Sequence, residues 1–456
     1  MDWEWPGFFA VAIGGAVGVR LLVGWLQLPP HATRILWLAF LARVIGSLAR
    51  HQVLESAYMG VGDASGYYKR GAAYAEMIWA LDFSFFADPW FGGTLWGTQF
   101  MRYLSAFAVA ITGPTMRGEF LLFALASMLG LWLIVAAVRR DSEEDAWRYA
   151  PWVSLLPSLC FWPCSVGKEA VMLLALGLAT YGYAGRRDRV SLLPLCAGGA
   201  LAFAIRPYAA GLIALACLGA ELVQSTWTPR KLLMSVILAP LALFVVIEAA
   251  SEHSLDLFEA EDVEQFVGAT ATMTSRGGSQ IEAVDGVLAG PMGLVNVLFR
   301  PFLWEASGAL ALLCALELTV LWSLVWMRRG LVVAALRSWR INRALRFGLL
   351  VGLLFALAYG LTFFNLGIIA RQRSLVWPFL LMLVGVSASG SILPGATARV
   401  GGAEGRGTQV SQSGAQFRSL RKNSSSHRVG DVEGWEDQLL AIRCIICDRT
   451  PRAAAP

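Results

Sequence analysis

Residues 117–140 read RGEFLLFALASMLGLWLIVAAVRR, and this stretch decides the fold class. No charge interrupts the run from Phe120 to Val138, which meets the length of about 20 apolar residues that a helix needs to cross a bilayer. Arg139-Arg140 closes it, as basic residues mark the cytoplasmic end of a span. Similar runs occupy approximately 7–27, 35–50, 146–163, 168–184, 190–204, 207–223, 232–249, 306–326, 347–365 and 374–393. The sequence therefore predicts an all-α polytopic membrane protein of about 11 transmembrane helices with an external loop of interfacial helices.

Composition agrees. The 456 residues are 57% hydrophobic and 15% charged, with mean hydropathy +0.58, whereas soluble domains carry about 25% charged residues. The excess of 37 Lys and Arg over 32 Asp and Glu fits arginine-rich cytoplasmic loops. No basic stripe interleaved with aromatics lies outside the tail, which argues against nucleic-acid binding. Cys160, Cys164, Cys196, Cys217 and Cys314 lie in apolar segments or at their ends, against an extracellular disulfide framework. The start, Met1-Asp2-Trp3-Glu4-Trp5-Pro6, lacks the basic region of a cleaved signal, so the first span is expected to be retained.

Arg139-Arg140, Arg186-Arg187-Arg189, Arg230-Lys231 and the stretch from Arg328 to Arg346 mark cytoplasmic loops. Alternation then divides the chain. Residues 1–50 hold N-terminal spans, 51–116 an external loop with juxtamembrane helices, and 117–249 a transmembrane bundle. Residues 250–305 form a second external loop, 306–394 the C-terminal spans, and 395–456 a disordered cytoplasmic tail. Parity makes 97–113 an interfacial or re-entrant helix rather than a crossing. Trp79, Phe83, Phe85, Phe86, Trp90, Phe91 and Trp96 suit that interface. In the second loop Arg276-Gly277-Gly278-Ser279 fits a mobile lid or a plain turn.

Charges in or beside spans are expensive and are functional candidates for that reason. Asp63, in Gly62-Asp63-Ala64-Ser65-Gly66-Tyr67, can take a proton from a hydroxyl; it suits equally an N-cap for the helix that follows. Lys168-Glu169 open a helix after a Pro-Gly turn. The macrodipole alone favours Glu there, while functionally Lys168 can meet phosphate and Glu169 can orient an acceptor or a metal. Gly167-Lys168 lacks the rest of a phosphate-binding P-loop. Arg206, Arg371 and Arg373 stand at external helix edges, where guanidinium groups bind phosphate in bidentate fashion or snorkel to headgroups. Glu317, mid-span, suits a packing hydrogen bond or a transport path. Cys444 and Cys447 have metal-like spacing, but only His427 is near, short of a four-ligand zinc site.

The order of these elements resembles the GT-C superfamily of integral-membrane glycosyltransferases, with its protein mannosyltransferase and aminoarabinose transferase relatives. The likeness rests on Asp63-Ala64-Ser65-Gly66-Tyr67 after an early span, the Gly113-Pro114 turn, the span ending in Arg139-Arg140, and the turn Gly167-Lys168-Glu169-Ala170. The boxes FRPFLWEA (Phe299 to Ala306) and NLGIIARQR (Asn365 to Arg373) are similar to those of actinobacterial polytopic membrane proteins. The resemblance covers roughly residues 50–393. It implies transfer of a sugar from a polyprenyl-phosphate donor to an envelope glycan, lipid or protein acceptor at the outer face of a bacterial plasma membrane. It implies Asp63 and Glu169 as catalytic residues, and Lys168, Arg206, Arg371, Arg373 and Tyr67 as substrate contacts. Lys-Glu stands where relatives often carry Asp, and a second acid in an ExPP setting is missing, so a divalent metal is left open. Two other functions share the charge pattern. A polymerase or ligase of lipid-linked glycans needs external arginines but no first-loop carboxylate. A transporter or flippase needs charges along a path through the bundle.

Overall fold

The computed structural model describes residues 3–86, 95–185, 189–223, 281 and 289–386, all within one compact unit, Met1–Leu393. The tail, the span expected at 232–249, Cys444 and Cys447, and most of the second external loop, Arg276 included, lie outside the described residues. Among those described the chain is helical, with no β-strand. In order come α1 (Glu4–Leu26), α2 (Pro30–Tyr58), α3 (Asp63–Trp79), α4 (Thr98–Thr112), α5 (Met116–Arg139) and α6 (Glu143–Leu155). Next are α7 (Pro157–Phe161), α8 (Lys168–Ala184), α9 (Leu192–Ile205), α10 (Pro207–Leu222), α11 (Ala289–Phe299) and α12 (Ala309–Met327). The last are α13 (Arg329–Ser338), α14 (Arg343–Thr362), α15 (Leu366–Gln372), α16 (Trp377–Leu380) and α17 (Met382–Gly385).

Five of these helices, α1, α2, α5, α12 and α14, are long and apolar enough to cross a membrane, or six spans if the bent unit from Leu366 to Gly385 counts as one. Of the remaining expected runs, 232–249 lies outside the described residues; α8, α9 and α10 have 17, 14 and 16 residues, short of the roughly 20 that a crossing takes; and proline breaks 146–163. Leu156 is extended before Pro157 and divides α6 from α7; Arg206 is extended before Pro207 and divides α9 from α10. Proline's ring disfavours helical backbone in the residue before it, so the run 146–163 becomes two short pieces and α9 and α10 stay separate. The final run bends by 54°.

The exposed apolar positions of α1, Phe9, Ile13, Val17, Leu21 and Trp25, recur every fourth residue and form a continuous stripe. Together with the buried Phe8, Val11 and Val19 they make a helix that is hydrophobic all round, the pattern of a membrane span.

α5 is the axis of the core. It buries residues along its whole length, Trp132 and Ile134 among them, with α1, α2 and α8 packed around it. Against α8 the contact is backbone to backbone: a Cβ on Gly130 or Gly177 would fall on the main chain of the opposite helix. Small residues permit this approach between apolar helices. The segment after residue 50 begins as a continuation of α2 rather than as a loop. Beyond it α3 and α4 pair through Tyr74, Phe85 and Tyr103. With 15 residues, α4 is about 22 Å long, shorter than a hydrocarbon core of about 30 Å.

The two ends of α8 differ in chemistry. At its C-terminal end Arg140 covers the Tyr181 ring at 3.8 Å and donates to Ser191 Oγ at 3.2 Å. Asp141 accepts the Arg343 and Ala344 amides, both at 2.9 Å, capping the start of α14. At its N-terminal end, about 26 Å away along 17 residues, four other segments converge.

Candidate functional site

Gly167, with extended backbone, precedes the first turn of α8, which places Glu169 where the helix dipole favours a carboxylate. A Cβ at Gly167 would stand 3.1 Å from Glu169 Oε2 and 3.7 Å from Arg371 Nη2, so the glycine leaves room for the ion pair beneath it. Glu169 is 1% exposed and both its oxygens are used. Oε2 accepts from Arg371 Nη2 at 2.8 Å. Oε1 accepts from Gln372 Nε2 at 2.6 Å and Arg206 Nη2 at 3.4 Å. Arg206 also donates to Gln372 Oε1 at 2.7 Å and to Tyr359 Oη at 3.4 Å. The break before Pro207 puts Arg206 there, because the extended residue between α9 and α10 turns its side chain into the bundle.

Arg371 links this buried knot to the surface. Its Nη1 lies 3.5 Å from Asp63 Oδ2, whose side chain is 65% exposed. Asn365 aims the segment: its Oδ1 accepts the amides of Gly367 at 2.8 Å and Ile368 at 3.3 Å, capping α15. Asp63 does not cap α3. Gly62 holds the cap position and Asp63 opens the first turn. Beside it Tyr67 is 6% exposed; burial first, and then the Asp63 carboxylate, push its phenol up to about 12. Lys168 reaches Thr98 Oγ1 at 3.4 Å.

Asp63, Tyr67, Lys168, Glu169, Arg206 and Arg371 are thus brought to one end of the bundle. Arg373 is not among them. Two residues along a helix turn a side chain by about 200°, and Arg373 donates instead to the Arg300 carbonyl. Arg300 in turn is paired with Glu305 at 2.8 Å within its own box. Glu317 accepts the Ser158 amide at 2.9 Å, a packing bond at the start of α7. Among the described residues no group of three or more His, Cys, Asp or Glu gathers as a metal site, and Arg371 stands between Asp63 and Glu169.

A cavity of about 390 Å³ opens at this end, lined by Arg50, Tyr58, Asp63, Trp162, Asn365 and Arg371 among others. Arg50 was not among the sequence candidates, nor were Gln372, Tyr359 and Thr98. A signal for Arg50 existed: it ends a span on the side where the positive-inside rule expects few cations. The guanidinium stands 5.4 Å from the Trp162 ring centroid, 5.5 Å from Phe161 and 5.9 Å from Tyr58. Compared with family models, curated proteins and solved structures, the chain matches none.

Proposed function

We propose that this chain is a GT-C-like glycosyltransferase of the bacterial plasma membrane, moving a sugar from a polyprenyl-phosphate donor to a glycan, lipid or protein acceptor at the outer face. The observation that carries this is the pairing of an accessible carboxylate with arginine at the mouth of one cavity, Asp63 with Arg371 at 3.5 Å. Its position, at the end of α8 opposite Arg140, supports the outer face, since arginine-rich ends lie inside.

The chemistry assigns each group a task. Asp63 accepts the proton of the acceptor hydroxyl. The acceptor oxygen attacks the anomeric carbon from the face opposite the phosphate, and the bond from that carbon to the phosphate oxygen breaks. The phosphate leaves with the electron pair, beside Arg371 and Lys168. Such preorganised cations at a developing charge are worth about 3 kcal/mol each. Glu169 and Arg206, locked to each other and to Gln372, act here as positioning residues that hold Arg371 toward the cavity. Tyr67, a neutral phenol at neutral pH, supplies a hydrogen bond rather than a base.

The test is lipid analysis of a strain lacking the protein, complemented with variants. Deletion is expected to accumulate a polyprenyl-phosphate sugar, and Asp63→Asn is expected to lower transfer about 10²–10⁴-fold while leaving the protein folded. Unchanged lipids and envelope glycans after deletion would overturn the proposal. Full activity in Asp63→Asn with loss in Arg371→Ala would instead favour a polymerase or ligase of lipid-linked glycans.

A further inference from the structure

Among the described residues the cations at this end of the bundle are not partnered alike. Glu169 is shared by Arg206 and Arg371, and Asp63 by Arg371 alone. Lys168 has the Thr98 hydroxyl as its polar contact among the described residues. Arg50 makes no hydrogen bond or ion pair with any of them, and its Nε and Nη1 are buried without an acceptor. Among the described residues Arg50 is therefore the cavity-lining cation without a carboxylate partner.

An unpaired guanidinium is costly away from water, and the surroundings of Arg50 do not neutralise it. Tyr58, Phe161 and Trp162 give it aromatic rings, which soften the charge of a cation but supply no counter-ion. They also fix its plane. Nε and Nη1 are enclosed, which leaves Nη2 as the nitrogen open to the cavity that Arg371 lines from the other side. Two guanidinium groups on one small cavity suit an oxyanion: Arg50 offers Nη2, and Arg371, whose Nη1 and Nη2 hold Asp63 and Glu169, adds its charge from the other side.

We propose that Arg50 and Arg371 form a phosphate-binding subsite between the end of α2 and α15. Identifying this phosphate with the leaving group of the sugar donor rests on the transfer proposed above; the anion subsite does not. In that reaction the donor diester carries one charge and the released polyprenyl phosphate carries two, so the subsite binds more strongly as the bond to the sugar breaks.

The test uses the full chain in detergent and in phosphatidylcholine nanodiscs. Inorganic phosphate is titrated against chloride at equal ionic strength, and polyprenyl monophosphate is titrated into the nanodiscs. Wild type is expected to bind the lipid phosphate, and Arg50→Gln to weaken that binding about 10–100-fold, with Arg50→Lys between them. Without phosphate, Arg50→Gln is expected to melt no lower than wild type, because it removes an uncompensated charge; a purely structural arginine gives the opposite result. Binding of inorganic phosphate without added affinity for the lipid would keep the subsite and assign it to a soluble phosphate. Equal affinity in wild type and Arg50→Gln, absence of binding to both probes, or a lower melting temperature for Arg50→Gln would overturn it. Transfer by the wild type separates the two proposals: phosphate binding with no measurable sugar transfer defeats the enzyme assignment and leaves the subsite standing.

Discussion

The two ends of α8 use the same residue types to different ends. At the arginine-rich end, charges serve backbone groups, such as the Leu26 carbonyl that accepts from Arg139, and exposed partners. Arg139 pairs with Glu143 one turn on, at 3.1 Å, and Asp141 caps a helix start. At the other end, Glu169 binds partners 37, 202 and 203 residues away, and Arg371 reaches Asp63 across 308. Local pairs and caps explain themselves as aids to helix formation. A knot of charges drawn from α3, α8, the α9–α10 break and α15 offers the helices no such service, and it borders a cavity. Convergence of opposite charges on one another beside a cavity, rather than charge itself or distance along the chain, marks the end where function is to be sought.

That contrast can be broken by measurement. The largest effect is expected for Glu169→Ala, which strands Arg206 and Arg371 in the interior and should cost about 3–5 kcal/mol, read as loss of thermal stability in detergent. Asp141→Ala should cost about 1 kcal/mol by freeing two amide donors at the start of α14. Smallest is Glu143→Ala, where an exposed i,i+4 pair contributes about 0.3–0.5 kcal/mol. Equal losses at Glu169 and Glu143 would erase the distinction between the ends. A double-mutant cycle of Glu169 with Gln372 sharpens it, since contacting members of one network are expected to couple and not to add.

Much of this was legible in the chain. The apolar run of α5 and its closing arginines follow from composition and position alone. Asp63, Lys168, Glu169, Arg206 and Arg371 do meet at one end of the bundle, although the alternation that grouped them counted α8, α9 and α10, shorter than the five candidate spans, as crossings. What could not be read is rotation. Arg371 and Arg373 are equivalent by topology, yet one faces Asp63 and the other the Arg300 carbonyl, a difference set by the phase of a seven-residue helix. Arg50 was hidden because α2 continues to Tyr58, so a residue that looked like the edge of a span lies within a helix and against rings from a distant turn. Pro157 also cuts the apolar run 146–163, which length alone joined to the membrane count.

The contact of Gly130 with Gly177 bears on how the cavity can be entered. With no side chain between the two backbones there is no clearance for α8 to slide along α5 or roll on it, since either motion drives a β-carbon into main chain. Glu169 is therefore held at a constant depth, as a rivet holds one plate to another. Adjustment at the cavity mouth falls to α3 and α15, whose ionic grip on each other, through a mostly exposed carboxylate, is a weak fastening.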